Sequence, residues 1–367
     1  MPDPMQSSLE GKQVSLPPPL SLSLSKHGNM ALRRGGFDRL GLSGSGGYLR
    51  GFRSALLALG LAISLPAQAQ TPPTLPDEAT LRSAYALPAS QFAEIDGESV
   101  HYLVEGAHDR PAILLLHGSY ASLRQWDEWA ASLSRHYRVV RYDQSPAGLS
   151  GPSPSADYGI EHRLRVIDGL LEKLGIEKVV LVGTSSAGLP AAAYAASRPQ
   201  RIAGLVLSNI AAGPIKFDLS TMPEALKAAV AEDMKHPGWH APEYWRQILL
   251  ANVVDQSRVT PELVTRWTDL NSRAARDPAI GKAIVASTSF ARTPDDLRAI
   301  SAPTLLLWSD QDHETPVERD GRQALELLAS KDKALEVVEN CGHMMPLDCP
   351  ARSLDQAMPF IERILGK

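Results

Sequence analysis

The chain has 367 residues, 44% of them hydrophobic and 21% charged, with a formal net charge of −4; this is an ordinary globular balance, long enough for one large domain or two small ones. It carries no basic run and no Lys/Arg face interleaved with aromatics, which disfavours nucleic-acid binding. Beyond residue 69 no apolar segment is long enough to span a bilayer.

Residues 1–29 are rich in Ser, Pro and Leu without periodicity and read as disordered, or as an over-extended start upstream of Met30. Arg33, Arg34, Arg39, Arg50 and Arg53 then precede the apolar run Ala55 to Leu65, Pro66 and the small-residue sequence Ala67-Gln68-Ala69. That order reads as an export signal, cleaved after Ala69 to leave Gln70 first, with a periplasmic or secreted destination. Arg33-Arg34 departs from a twin-arginine signal in spacing and sequence. Removing residues 1–69 takes away 7 of the 37 basic and 3 of the 41 acidic residues, leaving 30 against 38, a formal charge of −8. The cluster Gly44 to Gly47 follows no strand and is not read as a phosphate loop.

Residues 70–91 form a Pro-rich linker and N-terminal extension. Phe92 to Val104 reads as a hairpin turning at Asp96-Gly97, and strands follow at Ala112–Leu116, Arg138–Asp143, Val179–Val182, Ile202–Leu207, Thr304–Trp308 and Leu335–Val338. Helical patterns separate them, which implies an α/β fold with a mostly parallel sheet and helices on both faces. Between 211 and 301 the β signal gives way to helical segments at Pro223–Lys235, Pro242–Val254 and Pro261–Ala275. This insert divides a core into 92–210 and 302–367, and it is expected to lie as a cap over the carboxyl ends of the strands. Trp239, Trp245 and Trp267 on its apolar side are candidate pocket residues, although most such side chains are expected to pack the insert on itself.

Val179-Val180-Leu181-Val182-Gly183-Thr184-Ser185-Ser186-Ala187-Gly188 carries the chemistry. A serine hydroxyl is a weak nucleophile and needs exposure at a strand end beside a base. Gly183 and Ala187 flank Ser185 at two residues either side, as a tight strand-to-helix elbow requires. The helix that follows would aim the Ser186 N–H at an oxyanion. A buried turn with incidental serines is the alternative reading, and the partner residues decide against it. Gly342-His343 follows a strand and supplies a base; Ser309-Asp310-Gln311-Asp312 follows another and supplies carboxylates, Asp312 being the orienting acid and Asp310 its alternative. The order serine, acid, histidine, each beyond its own strand, is where wound sheets carry active sites.

With these residues the chain resembles the α/β-hydrolase superfamily, in its serine-nucleophile branch with a helical cap. Leu114-Leu115-Leu116-His117-Gly118-Ser119 resembles the loop whose backbone supplies a second oxyanion donor, here the Ser119 N–H. Tyr142 to Ser150 resembles the turn after strand 4, with Ser145 and Pro146 in place of Arg and Gly; Asp310 to Pro316 resembles the acid loop, and Gly342-His343 with Asp348 and Pro350 the histidine loop. His117 is read as support for the oxyanion loop and His313 as solvated. His101, His108, His136, His162, His236 and His240 show no pairing pattern.

The resemblance implies a serine hydrolase acting on a small or medium, largely apolar carboxylic ester, with catalytic Ser185, Asp312 and His343, oxyanion donors Ser119 and Ser186, a small-molecule substrate, no metal and no cofactor. The same triad also serves C–C bond, amide or lactone hydrolysis and perhydrolysis, and the fold also serves non-catalytic ligand binding. Cys341 and Cys349 bracket His343, and either a disulfide or two buried thiols fits them.

Overall fold

The computed structural model describes residues 73–215, 222–236, 238–273, 277–287 and 289–366. The predicted export segment lies outside the described residues. Among these residues, eight strands form one sheet in the order β1-β2-β4-β3-β5-β6-β7-β8: β1 Gln91–Ile95, β2 Glu98–Glu105, β3 Ala112–Leu116, β4 Arg138–Tyr142, β5 Val179–Thr184, β6 Ile202–Ser208, β7 Thr304–Ser309 and β8 Lys333–Val338. β2 pairs antiparallel with β1 and β4, and the remaining pairs are parallel. The hairpin turns at Asp96 and Gly97, both at positive φ (47° and 81°), the geometry that an Asp-Gly pair provides most cheaply.

Why the sheet is covered on both faces is visible in β3. All five residues, Ala-Ile-Leu-Leu-Leu, are buried, and their period-2 alternation divides them between two cores. Ala112, Leu114 and Leu116 join one core with Leu164, Ile167 and Leu170 of a helix on one face; Ile113 and Leu115 join Trp126, Trp129, Leu354 and Phe360 on the other. β5 repeats the division, Val179 and Leu181 against Val180 and Val182. Each side chain fully buried this way contributes about 1.5–3 kcal/mol.

The chain winds outward from β3, which lies between β4 and β5, and Leu116 at the end of β3 pairs with Gly183 near the end of β5. This reversal opens a crevice between the two following loops, the place where open α/β sheets hold ligands.

The helices differ from the sequence reading in two places. The stretch read as a linker contains helix α1 (Glu78–Tyr85), whose N-cap Asp77 accepts from the Thr80 N–H at 2.8 Å. Its Glu78 pairs with Arg273 and its Tyr85 hydroxyl donates to Asp269 Oδ2, both at 2.5 Å, so it is docked on the segment between β6 and β7. That segment carries helices Glu224–Asp233, Pro242–Ala251 and Pro261–Leu270 near the expected positions. The last begins where Thr260 Oγ1 accepts from the Leu263 N–H and Pro261 takes the first helical position. The helix begun at Pro261 ends at Leu270, Ser272 and Arg273 are helical again, and among the described residues two further helices, Pro278–Ser287 and Thr293–Ala299, fill a stretch without sequence assignment. No described helix is long and apolar enough to cross a membrane.

Candidate active site

Ser185 directly follows β5 at φ 52°, a left-handed conformation that costs a non-glycine residue about 1–2 kcal/mol and that the surrounding elbow holds. Gly183 is required there: a Cβ would lie 2.7 Å from Ala191 Cβ and 2.8 Å from the Ala187 carbonyl oxygen. Gly118 approaches the same serine from the neighbouring loop, where a Cβ would lie 3.1 Å from Ser185 Cβ.

Ser185 Oγ lies 2.9 Å from His343 Nε2, and His343 Nδ1 lies 2.8 Å from Asp312 Oδ2. Asp312 is buried and saturated: Oδ1 accepts from the Glu314 and Thr315 N–H groups and Oδ2 also accepts from the Thr315 hydroxyl. Burial opposes its charge, but His343 and the Thr315 donors hold its carboxyl below the usual range. Burial likewise pulls His343 down, yet Glu314 and then Asp312 outweigh it and raise the imidazole to about 9. Asp310 is exposed and accepts from the Cys341 N–H at 3.1 Å instead, and His313 is exposed as well.

The two residues expected to supply oxyanion donors come together, the Ser119 hydroxyl donating to Ser186 Oγ at 2.9 Å. His117 supports this loop. Its Nδ1 faces the Gly118 carbonyl at 2.8 Å and must donate, and its Nε2 faces the Gln144 N–H at 2.9 Å and must accept. That pattern fits a neutral ring, in keeping with burial pushing its pKa down.

A cavity of about 140 Å³ opens on the two serines, with Pro146 and Arg163 from the core among its walls. The tryptophans named from sequence do not line it. Trp245 and Trp267 pack with Leu249, Leu263, Val264 and Met344, and Trp239 is buried beside His236. Leu270, Asn271, Arg273 and Ile284 contribute to the cavity from the segment between β6 and β7. Trp267 does line a neighbouring space of about 10 Å³. The apolar face of the insert was legible, but the side of it turned inward was not.

Sequence reasoning also missed Asn209 and the role of Ser309, which fix the histidine loop together with Asp348 and the two cysteines already named there. Asn209, fully buried at φ 49°, donates from Nδ2 to Ser309 Oγ and to the His343 carbonyl, both at 2.9 Å, and accepts from the Ser309 N–H. Ser309 Oγ donates to the Gly342 carbonyl at 2.7 Å. Asp348 accepts from the N–H groups of Gly342, Val254 and Asp255. Cys341 and Cys349 are disulfide-bonded across 5.8 Å between Cα atoms. The only hint was an Asn at a strand end, a residue that tolerates positive φ.

Four of the histidines without a pairing pattern in the sequence have carboxylate partners: His101 Nδ1 meets buried Asp143 Oδ2 at 2.7 Å, His162 meets Asp96 at 2.7 Å and Glu98 at 3.2 Å, His240 Nδ1 meets Asp233 Oδ2 at 2.8 Å, and His236 Nε2 lies 3.5 Å from Glu232. Sequence separation hid the first two, since each joins a hairpin to a distant element. Among the described residues no group of three or more His, Cys, Asp or Glu side chains is arranged to hold a metal ion.

The family model for the alpha/beta hydrolase fold matches residues 111–350. The chain is 28% identical over 270 residues to a 2-hydroxy-6-oxononadienedioate/2-hydroxy-6-oxononatrienedioate hydrolase of Pseudomonas putida, covering 70% of this chain and 90% of that protein. It is 27% identical over 248 residues to a 2-hydroxy-6-oxo-2,4-heptadienoate hydrolase of the same species, covering 64% and 83%. Among solved structures, the meta-cleavage product hydrolase of Pseudomonas fluorescens IP01 superposes with a TM-score of 0.62 at 23% identity, covering 74% of this chain and 97% of that one. A thermophilic esterase of Thermogutta terrifontis gives 0.60 at 23%, covering 75% and 99%.

Proposed function

The chain belongs to the α/β-hydrolase fold family, and from that premise we propose that it is an exported serine hydrolase cleaving a small or medium carboxylic ester through an acyl-enzyme on Ser185. The observation that carries this reading is the unbroken run from Ser185 Oγ through both ring nitrogens of His343 to Asp312, at 2.9 and 2.8 Å. Serine attacks the acyl carbon as its proton passes to Nε2, and Asp312 fixes the tautomer and stabilises the imidazolium. The N–H groups of Ser119 and Ser186 receive the oxyanion. His343 then protonates the leaving alcohol and, in the second half, activates the water that releases the acid. The segment 211–301 is read as the cap, excluding water from this chemistry.

A second reading uses the same triad to hydrolyse a carbon–carbon bond in a ring-fission diketone. The names of the Pseudomonas relatives favour it, and so does Arg163 in the cavity wall, which fits a polar substrate better than a wholly apolar one. Fluorophosphonate labelling with peptide mass spectrometry tests the nucleophile: Ser185 is expected to carry the adduct, and label on Ser186 or Ser119 alone refutes the assignment. Absence of any label or turnover points to a non-catalytic binding protein. A panel of aryl ester, amide, lactone and vinylogous diketone, with a peracid assay, then separates the chemistries.

Export is supported by the order of arginines, apolar run and Ala67-Gln68-Ala69, and by a disulfide of the kind that persists in oxidising compartments. N-terminal sequencing of protein from the exporting host should begin near Gln70; a start at Met1 or Met30 overturns it.

A further inference from the structure

His343 has a carboxylate at each end of its ring. Asp312 occupies the Nδ1 side, as the triad requires, but Glu314, two residues on in the same loop, brings Oε2 to 3.5 Å from Nε2. That is the nitrogen that faces Ser185 Oγ at 2.9 Å. At 3.5 Å the Glu314 contact is an ion-pair distance and not a good hydrogen bond, so the carboxylate leaves the Nε2 direction to the serine and acts on the ring through space. Its position is fixed by the loop: Asp312 Oδ1 accepts from the Glu314 N–H at 2.8 Å, and the Glu314 carbonyl accepts from Arg319 Nη2 at 2.7 Å. Arg319 itself is spent on Asp320, at 2.6 Å, and among the described residues the ion pairs of Glu314 reach only His343.

We propose that Glu314 is a positioning residue for His343, holding the positive charge that the imidazole acquires when it takes the serine proton; this rests on the serine-hydrolase reading. The proton goes from Ser185 Oγ to Nε2 and on to the leaving-group oxygen, while Glu314 exchanges none. The arrangement has an opposing effect on the resting enzyme, because a carboxylate that stabilises the imidazolium in the transition state stabilises it before the reaction as well. A base protonated at rest cannot accept the serine proton, so the acid limb of activity is displaced upward.

The other groups around His343 leave this role to Glu314. Asp312 is committed to Nδ1, Asp348 to the backbone of Gly342, Val254 and Asp255, and Asp310 to the Cys341 N–H. Asn209 and Ser309 hold the loop through neutral groups, and Asp320 faces Arg319 and the Ala212 N–H. Tyr120, which lines the cavity, is 55% exposed and, as a phenol, neutral in the working range. Burial alone would lower His343; the rise to about 9 is owed first to Glu314 and then to Asp312.

The test compares wild type, Glu314→Gln and Glu314→Asp by two readouts that need no natural substrate: NMR titration of the His343 ring, and the pH dependence of fluorophosphonate labelling at Ser185. Glu314→Gln should move both midpoints down by at least about one pH unit, a tenfold change in the protonation equilibrium, and lower the labelling rate on the high-pH plateau several-fold. Glu314→Asp should restore part of the shift. Because Glu314 is 41% exposed, raising the salt concentration should move the wild-type midpoint toward that of Glu314→Gln and leave the variant unmoved. Equal midpoints in wild type and Glu314→Gln overturn the proposal, as does a loss of rate without a shift. If Ser185 never labels but the His343 titration still shifts, the hydrolase reading fails while the electrostatic coupling stands.

Discussion

Asp143→Ala should destabilise the fold and impair the site together. Asp143 is 1% exposed, and its carboxylate accepts from the Leu123 N–H at 2.6 Å, the Leu149 N–H at 2.6 Å and His101 Nδ1 at 2.7 Å. Alanine leaves two buried backbone donors without acceptors, each costing about 1–3 kcal/mol, and removes a partner from a buried histidine, which retains Ser90 on its other nitrogen. The sum is about 3–5 kcal/mol, the range seen when one member of a buried pair is deleted and a large part of the 5–15 kcal/mol typical of a domain. Asp143→Asn keeps one acceptor oxygen and should cost about half as much. Activity should fall too, because Gln144 follows directly and holds His117, and with it the Ser119 loop, through hydrogen bonds of 2.9 and 2.6 Å. Urea unfolding at constant slope gives the stability term, and kcat/KM on an aryl ester gives the other. A loss below about 1 kcal/mol with unchanged kcat/KM would refute the reasoning. Acid sharpens the test: burial opposes the Asp143 charge, but His101, His117 and the Leu123 N–H hold its carboxyl below the ordinary range. A depressed carboxylate stabilises fully above its unfolded value and loses that contribution as pH falls through the folded one, so wild type should lose more stability to acid than Asp143→Ala.

Asp312→Asn should cost about 10⁴ in kcat by favouring the wrong His343 tautomer, whereas Asp310→Asn, which touches only the Cys341 N–H, should cost far less; equal losses would undo the assignment. His343, raised to about 9 from an ordinary 6.5, contributes stability that is complete below 6.5 and lost as pH rises through about 9, so thermal stability should fall over the interval in which activity rises. Asn209→Ala should lower stability by about 2–4 kcal/mol from its lost hydrogen bonds and reduce kcat more than KM, read by urea titration and steady-state kinetics. Reduction of Cys341–Cys349, verified by thiol alkylation, should lower stability by about 2–3 kcal/mol, seen as a fall in Tm.

The parts legible in the sequence were those whose signal is local. β3 and β5 announced themselves as short apolar runs, and Ser185 by the glycine and alanine that a tight elbow demands. Asp312 and His343 were named because each follows a strand at a position the family motif marks, and they lie 2.8 Å apart. What stayed hidden depends on contacts between distant segments. His101 and Asp143 are separated by 42 residues, Asn209 and His343 by 134, and Glu78 and Arg273 by 195, and no local periodicity encodes such meetings. Glu314 was hidden for a different reason: an exposed acidic residue in a polar turn reads as solvated until the turn brings it beside a ring nitrogen.

The contrast between the serine and the histidine explains how a precise site is built from unequal parts. Ser185 is positioned by its own backbone, since the end of β5 and the packing at Gly183 leave it one conformation. His343 sits in a loop that has no such constraint, and the fold compensates by holding that loop from several sides. Asn209 reaches it from the end of β6, Ser309 from the end of β7, Asp348 and the disulfide from within, and Asn252 through its carbonyl, which accepts the Met344 N–H at 3.0 Å. The last contact ties the histidine loop to the helical segment between β6 and β7. Asp348 adds to it by accepting from Val254 and Asp255 as well as Gly342. A shift of that segment therefore acts on His343 as well as on the cavity wall, and substitutions around Asn252 should alter kcat although they touch neither the serine nor the cavity.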